Sequence, residues 1–202
     1  MNLNECKDVF EIIKREPQEY IEKLCNSFEN NIFSFKYSYD RVFSRFPFEL
    51  ESFGIKPGKE TDERPDASRK YYKNYRDKNN RVILIEEYNA KGDVILKEFI
   101  EYGSSQIERF SFNKIGAFKI KSYSVLKIKD GRPVKLFNIG VKGESLWDFH
   151  YKNECLEKID VFNSKEGKEI KKARSIEFFF QKDILKEVVY DYLNGERQSI
   201  FK

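Results

Sequence analysis

Tyr88-Asn89-Ala90-Lys91-Gly92-Asp93-Val94-Ile95-Leu96-Lys97-Glu98-Phe99-Ile100-Glu101-Tyr102 reads as an aromatic residue, a turn closed by glycine, and a strand that ends in another aromatic. Related stretches recur at Phe112-Asn113-Lys114-Ile115-Gly116, at Phe162-Asn163-Ser164-Lys165-Glu166-Gly167 and at Tyr192-Leu193-Asn194-Gly195. Asn and Gly favour tight turns because both tolerate positive φ. A short repeated strand-and-turn unit predicts an antiparallel meander, which offers broad surfaces more readily than a deep catalytic cleft.

Within the quoted strand, Val94, Leu96, Ile100 and Tyr102 share one face, and Ile95 and Phe99 occupy the other. Trp147, Phe149 and Tyr151 share one side of a later strand. A sheet apolar on both faces must be covered or curled. The fold class expected is therefore mainly β with N-terminal α: an extended antiparallel β-meander, strongly twisted or partly closed, with a two-sheet sandwich as the other solution. The repeat positions run from Tyr88 through Tyr102, Phe112, Val125, Ile139, Tyr151, Phe162 and Phe179 to Tyr192. Their spacing averages roughly 13 residues and predicts about nine strands beyond residue 69. Asp130-Gly131 and Asn194-Gly195 are the strongest hairpin signals.

The N-terminal part reads differently. Asn4 is placed to cap a helix carrying Val9, Phe10, Ile12 and Ile13, and Pro17 to open a second. In that second helix Tyr20, Ile21, Leu24, Cys25 and Phe28 fall on one face, which is expected to cover the first strand or one face of the sheet. Phe33, Phe35, Tyr37 and Tyr39 alternate as a strand does, whereas Phe43, Phe46, Phe48, Leu50 and Phe53 break the period. Gly54 to Arg69 is polar, interrupted by Pro57, Gly58 and Pro65, and reads as a connector. The chain thus divides into a helical segment (1–30), a strand with connector (31–68) and the repeat sheet (69–202), within one structural domain.

In 202 residues the chain has 40% hydrophobic and 16% aromatic content, enough for one substantial core. Its 38 basic and 34 acidic residues leave +4, too little to name a partner. The N-terminus shows no apolar signal region and no run approaches a membrane span, so a cytoplasmic protein without a membrane partner is expected. Cys6, Cys25 and Cys155 lack disulfide or zinc spacing.

The stretch Tyr88 to Glu98, echoed at 112–120 and 162–170, resembles the YD and MORN-like repeats of bacteria. Such repeats place an aromatic and an Asp or Asn before a glycine turn and a new strand. The resemblance spans roughly residues 70 to 202. It implies strand-turn architecture and, through the MORN-like antitoxin group of polymorphic toxin systems, an immunity function.

Catalytic signals are sparse. His150 is the only histidine, and Asp148 sits two residues before it on the same side of a strand, but no nucleophile accompanies the pair beyond Cys155, across a turn. Asp62, Glu63 and Asp66 lack a calcium-loop pattern, and Gly54 to Thr61 is one residue short of a phosphate loop and has Glu60 at the magnesium position. No metal or cofactor is called for. Local charge says more. Between Lys114 and Lys135 seven basic residues face one acid, and Lys119, Lys121, Lys127 and Lys129 share a parity with Tyr123 among them. That stripe, with Trp147, Phe149 and Tyr151 as an aromatic anchor, is the predicted partner-binding surface. A solvated lysine face that discourages edge pairing has the same pattern.

The expectation is a non-enzymatic binding protein, an immunity protein that occludes a cognate toxin domain. A nucleic-acid-binding module using the basic stripe is the alternative, and a hydrolase built on Asp148 and His150 is the third.

Overall fold

The computed structural model describes residues 1–66, 68–164 and 168–202. Helix α1 spans Leu3–Arg15 and α2 spans Pro17–Glu29. The cap of α1 is Asn2 rather than Asn4. Its side chain accepts from the Asn4 and Glu5 backbone N–H groups at 2.9 and 3.1 Å, and Glu5 accepts from the Asn2 N–H at 2.8 Å. Only Asn2 has an acid three residues on, so only it completes the reciprocal box. Pro17 occupies the first turn of α2, where a missing N–H is harmless.

Thirteen strands follow among the described residues: β1 (Ser34–Ser38), β2 (Glu60–Thr61), β3 (Tyr71–Arg76), β4 (Val82–Tyr88), β5 (Val94–Tyr102), β6 (Gln106–Ile115), β7 (Ala117–Lys129), β8 (Arg132–Gly140), β9 (Gly143–Lys152), β10 (Cys155–Ser164), β11 (Lys171–Gln181), β12 (Ile184–Tyr192) and β13 (Arg197–Phe201). They form one antiparallel sheet in the order β13 to β3 without a crossover, then β1 and β2. The connector thus contributes a strand. Its ends, β13 and β2, do not pair with each other, so the meander is not closed into a barrel.

Eleven of the strands lie beyond residue 69, more than the nine expected, because β3 precedes the first repeat position, Tyr88, and β13 follows the last, Tyr192. Some of the hairpins between them turn without glycine. Asn153-Glu154 and Lys182-Asp183 adopt positive φ at both central residues, as Asp130-Gly131 does. Asn153 and Asp183 tolerate the left-handed region, whereas Glu154 and Lys182 bear its cost without a turn signal of their own. Strand lengths also vary from two to 13 residues, so a fixed period fails. Phe112 and Asn113 lie inside β6 and Val125 inside β7, whereas Ile139 and Phe179 lie within two residues of the ends of β8 and β11. The Asn-Gly device itself holds where it is complete: Asn89 accepts from the Lys91 N–H at 2.9 Å and Asn194 from the Glu196 N–H at 3.1 Å. The turn at Phe162 to Gly167 has its last three residues outside the described set.

The helical hairpin lies across β7 and β8 on the outer face rather than on the first strand. Phe10, Ile13, Ile21, Leu24 and Phe28 bury themselves against Phe99, Phe110, Phe112, Tyr123 and Val125. Each such side chain contributes about 1.5–3 kcal/mol through area removed from water.

The inner face is filled by residues 40–54, which cross it as a strap. Phe46 packs edge-on against Phe149 with centroids 4.9 Å apart, Phe48 against Phe180 at 5.4 Å, and Phe53 against Trp147 at 5.4 Å. Gly54 ends the strap so close to β13 that an added Cβ would lie 2.8 Å from the Ile200 carbonyl oxygen. Four residues later the Gly58 N–H bonds to Arg41, whose guanidinium lies 5.7 Å from the Tyr72 ring centroid in β3. Ten inter-strand steps separate β3 from β13, roughly 48 Å in a flat sheet. Four residues reach at most about 14 Å. The sheet must therefore curl around its strap.

Candidate functional site

The predicted stripe does not form one surface. In β7, Ser122 pairs with Ser111 but Ile120 pairs with Phe112, so Lys121 is the extra residue of a bulge. A bulge shifts side-chain parity by one. Lys121 lines a cleft on the inner face, whereas Tyr123 is packed in the outer core and the charge of Lys127 acts on Glu5 of α1. Lys119 and Lys129 are exposed, and Lys127 is half-buried with its ammonium on Gln106. Tyr123 is fully buried, its hydroxyl donating to Glu108. Burial, then that bond, raises its pKa.

The aromatic anchor fails as an exposed patch. Trp147 and Phe149 are 5% and 8% exposed and belong to the inner core; Tyr151 is half-buried beside them. They pack against the strap, which the broken periodicity of residues 43–53 concealed. His150 is exposed and meets Asp160 of β10 at 3.1 Å, not Asp148, which pairs with Lys135 at 3.1 Å. Burial would raise the Asp160 pKa, but the bonds from Lys172, Ser175 and Lys158 outweigh it and leave the group strongly ionised. Among the described residues no group of three or more His, Cys, Asp or Glu is placed to hold a metal ion, and no helix is long and apolar enough to cross a membrane.

Two surfaces remain. The first is an aromatic edge on β1 and β3. Phe33 and Phe35 are 78% and 44% exposed. Phe35 stands 6.0 Å from Tyr75 and 5.6 Å from Tyr37, with the Lys73 ammonium 4.0 Å from its ring centroid. Tyr75 and Tyr88 both donate to Glu86, at 2.7 and 2.6 Å, and Lys97 approaches the same carboxylate at 3.0 Å. Burial tends to raise the Glu86 pKa, yet these partners hold it low, so the patch has an ionised anchor beneath it. β2 pairs with β1 only at Tyr37 and Ser38, which leaves the backbone edge of Ser34 to Lys36 open.

The second surface is a cleft of about 840 Å³ in the inner face. Its floor is set by register. Arg109, Ser124, Asn138, Ser145 and Asn163 stand opposite one another across β6 to β10. The next row runs Glu98, Ser111, Ser122, Gly140 and Gly143. Small polar residues in both rows leave room that Leu126, Leu136, Trp147 and Val161 fill one row away. No single strand discloses this; aligning the polar positions across consecutive hairpins would have found it.

Along this floor, three guanidinium groups share two carboxylates. Arg41 meets Glu98 at 3.2 Å; Arg45 meets Glu49 through its Nε at 2.9 Å and donates to Ser124 Oγ at 2.7 Å. Arg109 is left 3.9 Å from Glu49. Glu98 would be raised by burial, but Arg109 and Arg41 hold it down at about 2. Glu49 is likewise lowered by Arg45 and Arg109 against its burial. Burial first, then Arg45, lowers Arg109. No protein-family model matches this chain, and neither a curated protein nor a solved structure matches it.

Proposed function

We propose that this chain is a non-enzymatic binding protein, an immunity protein that neutralises a cognate toxin domain by covering its active surface. The aromatic edge carries the reading. Phe35 is partly exposed beside Tyr37, Tyr75 and Lys73, and Phe33, just before β1, is exposed as well. Apolar rings kept exposed in a cluster mark interaction surfaces, and aromatics concentrate interface energy. The open backbone edge of Ser34 to Lys36 adds main-chain donors and acceptors for an extended segment. Occlusion across about 1,600 Å² is the expected scale.

The nucleic-acid alternative loses its continuous basic track, since the bulge sends Lys121 and Lys127 to opposite faces. A toxin domain encoded beside this chain is the direct test partner. The intact chain should inhibit it, with affinity that survives a tenfold rise in salt, whereas phosphate binding should fall by orders of magnitude. Phe33→Ser/Phe35→Ser should weaken inhibition by about 100-fold while the protein stays folded with a slightly lower thermal midpoint, because Phe33 is exposed and Phe35 gives up only its surface contacts with Tyr37, Tyr75 and Lys73. Full toxin activity at saturating intact chain, or inhibition undiminished in the double variant, overturns the reading.

A further inference from the structure

The inner cleft has a chemistry of its own that the aromatic edge does not use. Its volume of about 840 Å³ lies within the range of small-molecule sites. Among the described residues five cations line it, Arg45, Arg109, Lys121, Lys142 and Arg174, against the single acid Glu144. Glu144 is already paired with Lys7 of α1 at 2.8 Å. A cleft so lined focuses positive potential inward.

Two of the lining donors are also uncommitted. Arg45 is taken by Glu49 and Ser124, but the Nε–H groups of Arg109 and Arg174 are buried and find no acceptor among the described residues. Buried polar groups are ordinarily satisfied, so each exception asks for an explanation. Arg174 is held in place by stacking on Tyr190, 4.3 Å from guanidinium carbon to ring centroid. The guanidinium fork matches the oxygens of a carboxylate or phosphate. Asn138, Ser122 and Ser145 add amide and hydroxyl groups along the floor.

We propose that this cleft binds a compact organic anion through phosphate or carboxylate groups, with Arg109 and Arg174 as the inner donors and Lys121 and Lys142 at the mouth. The site goes beyond the protein-binding reading and stands on separate residues. Inorganic pyrophosphate and citrate represent the two oxyanion sources, and glucose is the uncharged control.

Calorimetric titration of the full chain at constant ionic strength should give one saturable site for at least one anion and none for glucose. Lys121→Ala/Lys142→Ala, both exposed in the parent, should weaken it by about tenfold or more, as should Arg174→Leu. Phe33→Ser/Phe35→Ser should leave it unchanged. Saturation by pyrophosphate alone assigns a phosphate ligand, and by citrate alone a carboxylate. No saturation by either up to about 10 mM, or parental affinity in the lysine double variant, overturns the proposal. Toxin inhibition measured on the same variants keeps the two surfaces distinct: loss of anion binding with intact inhibition leaves the immunity reading standing.

Discussion

The two faces of this sheet are covered by opposite means. Outside, two 13-residue helices lay regular apolar stripes across the central strands. Inside, an irregular strap, residues 40–54, threads the curl and brings Arg41, Arg45 and Glu49 into the interior along with Phe46 and Phe48. The difference follows from shape. A convex surface accepts a rigid rod with a periodic stripe. A concave one must be filled by a segment that turns as the walls turn, and any polar group carried in needs a partner already waiting on the strands. Glu98, Ser124 and Arg109 are those partners, and Ser111 in turn donates to Glu98. The same row of small polar residues that receives the strap's charges leaves the cleft beside it.

The contrast is most open to attack at one ring on each side. Phe46 and Phe10 are each 3% exposed, one in the strap and one in α1. Phe46 is wedged between Trp147 and Phe149 inside the curl, where the walls cannot close on a void. Phe46→Ala should cost about 4–5 kcal/mol, and Phe10→Ala, under a helix free to settle, about 3 kcal/mol. Urea unfolding measures both. Equal costs would mean that the strap is a cover and no more.

The legibility of the chain divides along the same line. The helical spacing of Tyr20, Ile21, Leu24, Cys25 and Phe28 was readable because one element determines it, and so were the turns at Asp130-Gly131 and Asn194-Gly195, where both glycines take positive φ. The strap was not, since Phe43 to Phe53 obeys no period until the sheet supplies its walls. The stripe of lysines failed because its parity depends on a bulge opposite Phe112, a property of strand pairing. Trp147 looked like an anchor for the same reason: its strand alone does not say which face the strap will bury. The cleft's polar rows exist only once five registers are known.

The strap's charges give a second way to separate the faces. Burial disfavours ionised Glu98, but Arg109 and Arg41 overcome it and depress the folded pKa from 4.5 to about 2. A depressed carboxyl stabilises the fold fully above its unfolded pKa, and that stability drains away as pH falls through the window from about 4.5 to 2. By linkage the amount is on the order of 3 kcal/mol. Glu98→Gln should lose a comparable amount at pH 7, because it leaves Arg109 and Arg41 sharing less negative charge in the interior. Denaturation of the two proteins at pH 7 and pH 3 should show the gap narrowing at the lower pH. A gap that does not depend on pH would assign the loss to packing and detach Glu98 from the guanidinium cluster.

The smallest effect sharpens the comparison at the other face, where stability should come from ordinary helix chemistry. Asn2 caps α1 with two accepted backbone bonds, and Glu5 returns one to the Asn2 N–H. Asn2→Ala should therefore cost about 1 kcal/mol. Asn4, two residues into the chemistry but outside the cap, uses only its backbone N–H and should tolerate Ala within about 0.5 kcal/mol. The two substitutions remove the same side chain from positions two apart, so composition cancels, and their difference carries the cap together with the small gain in helix propensity at Asn4. Thermal unfolding of both variants is sufficient. If Asn4→Ala is the more damaging, the helix begins one half-turn later, and the outer face is covered by a shorter rod than the one described.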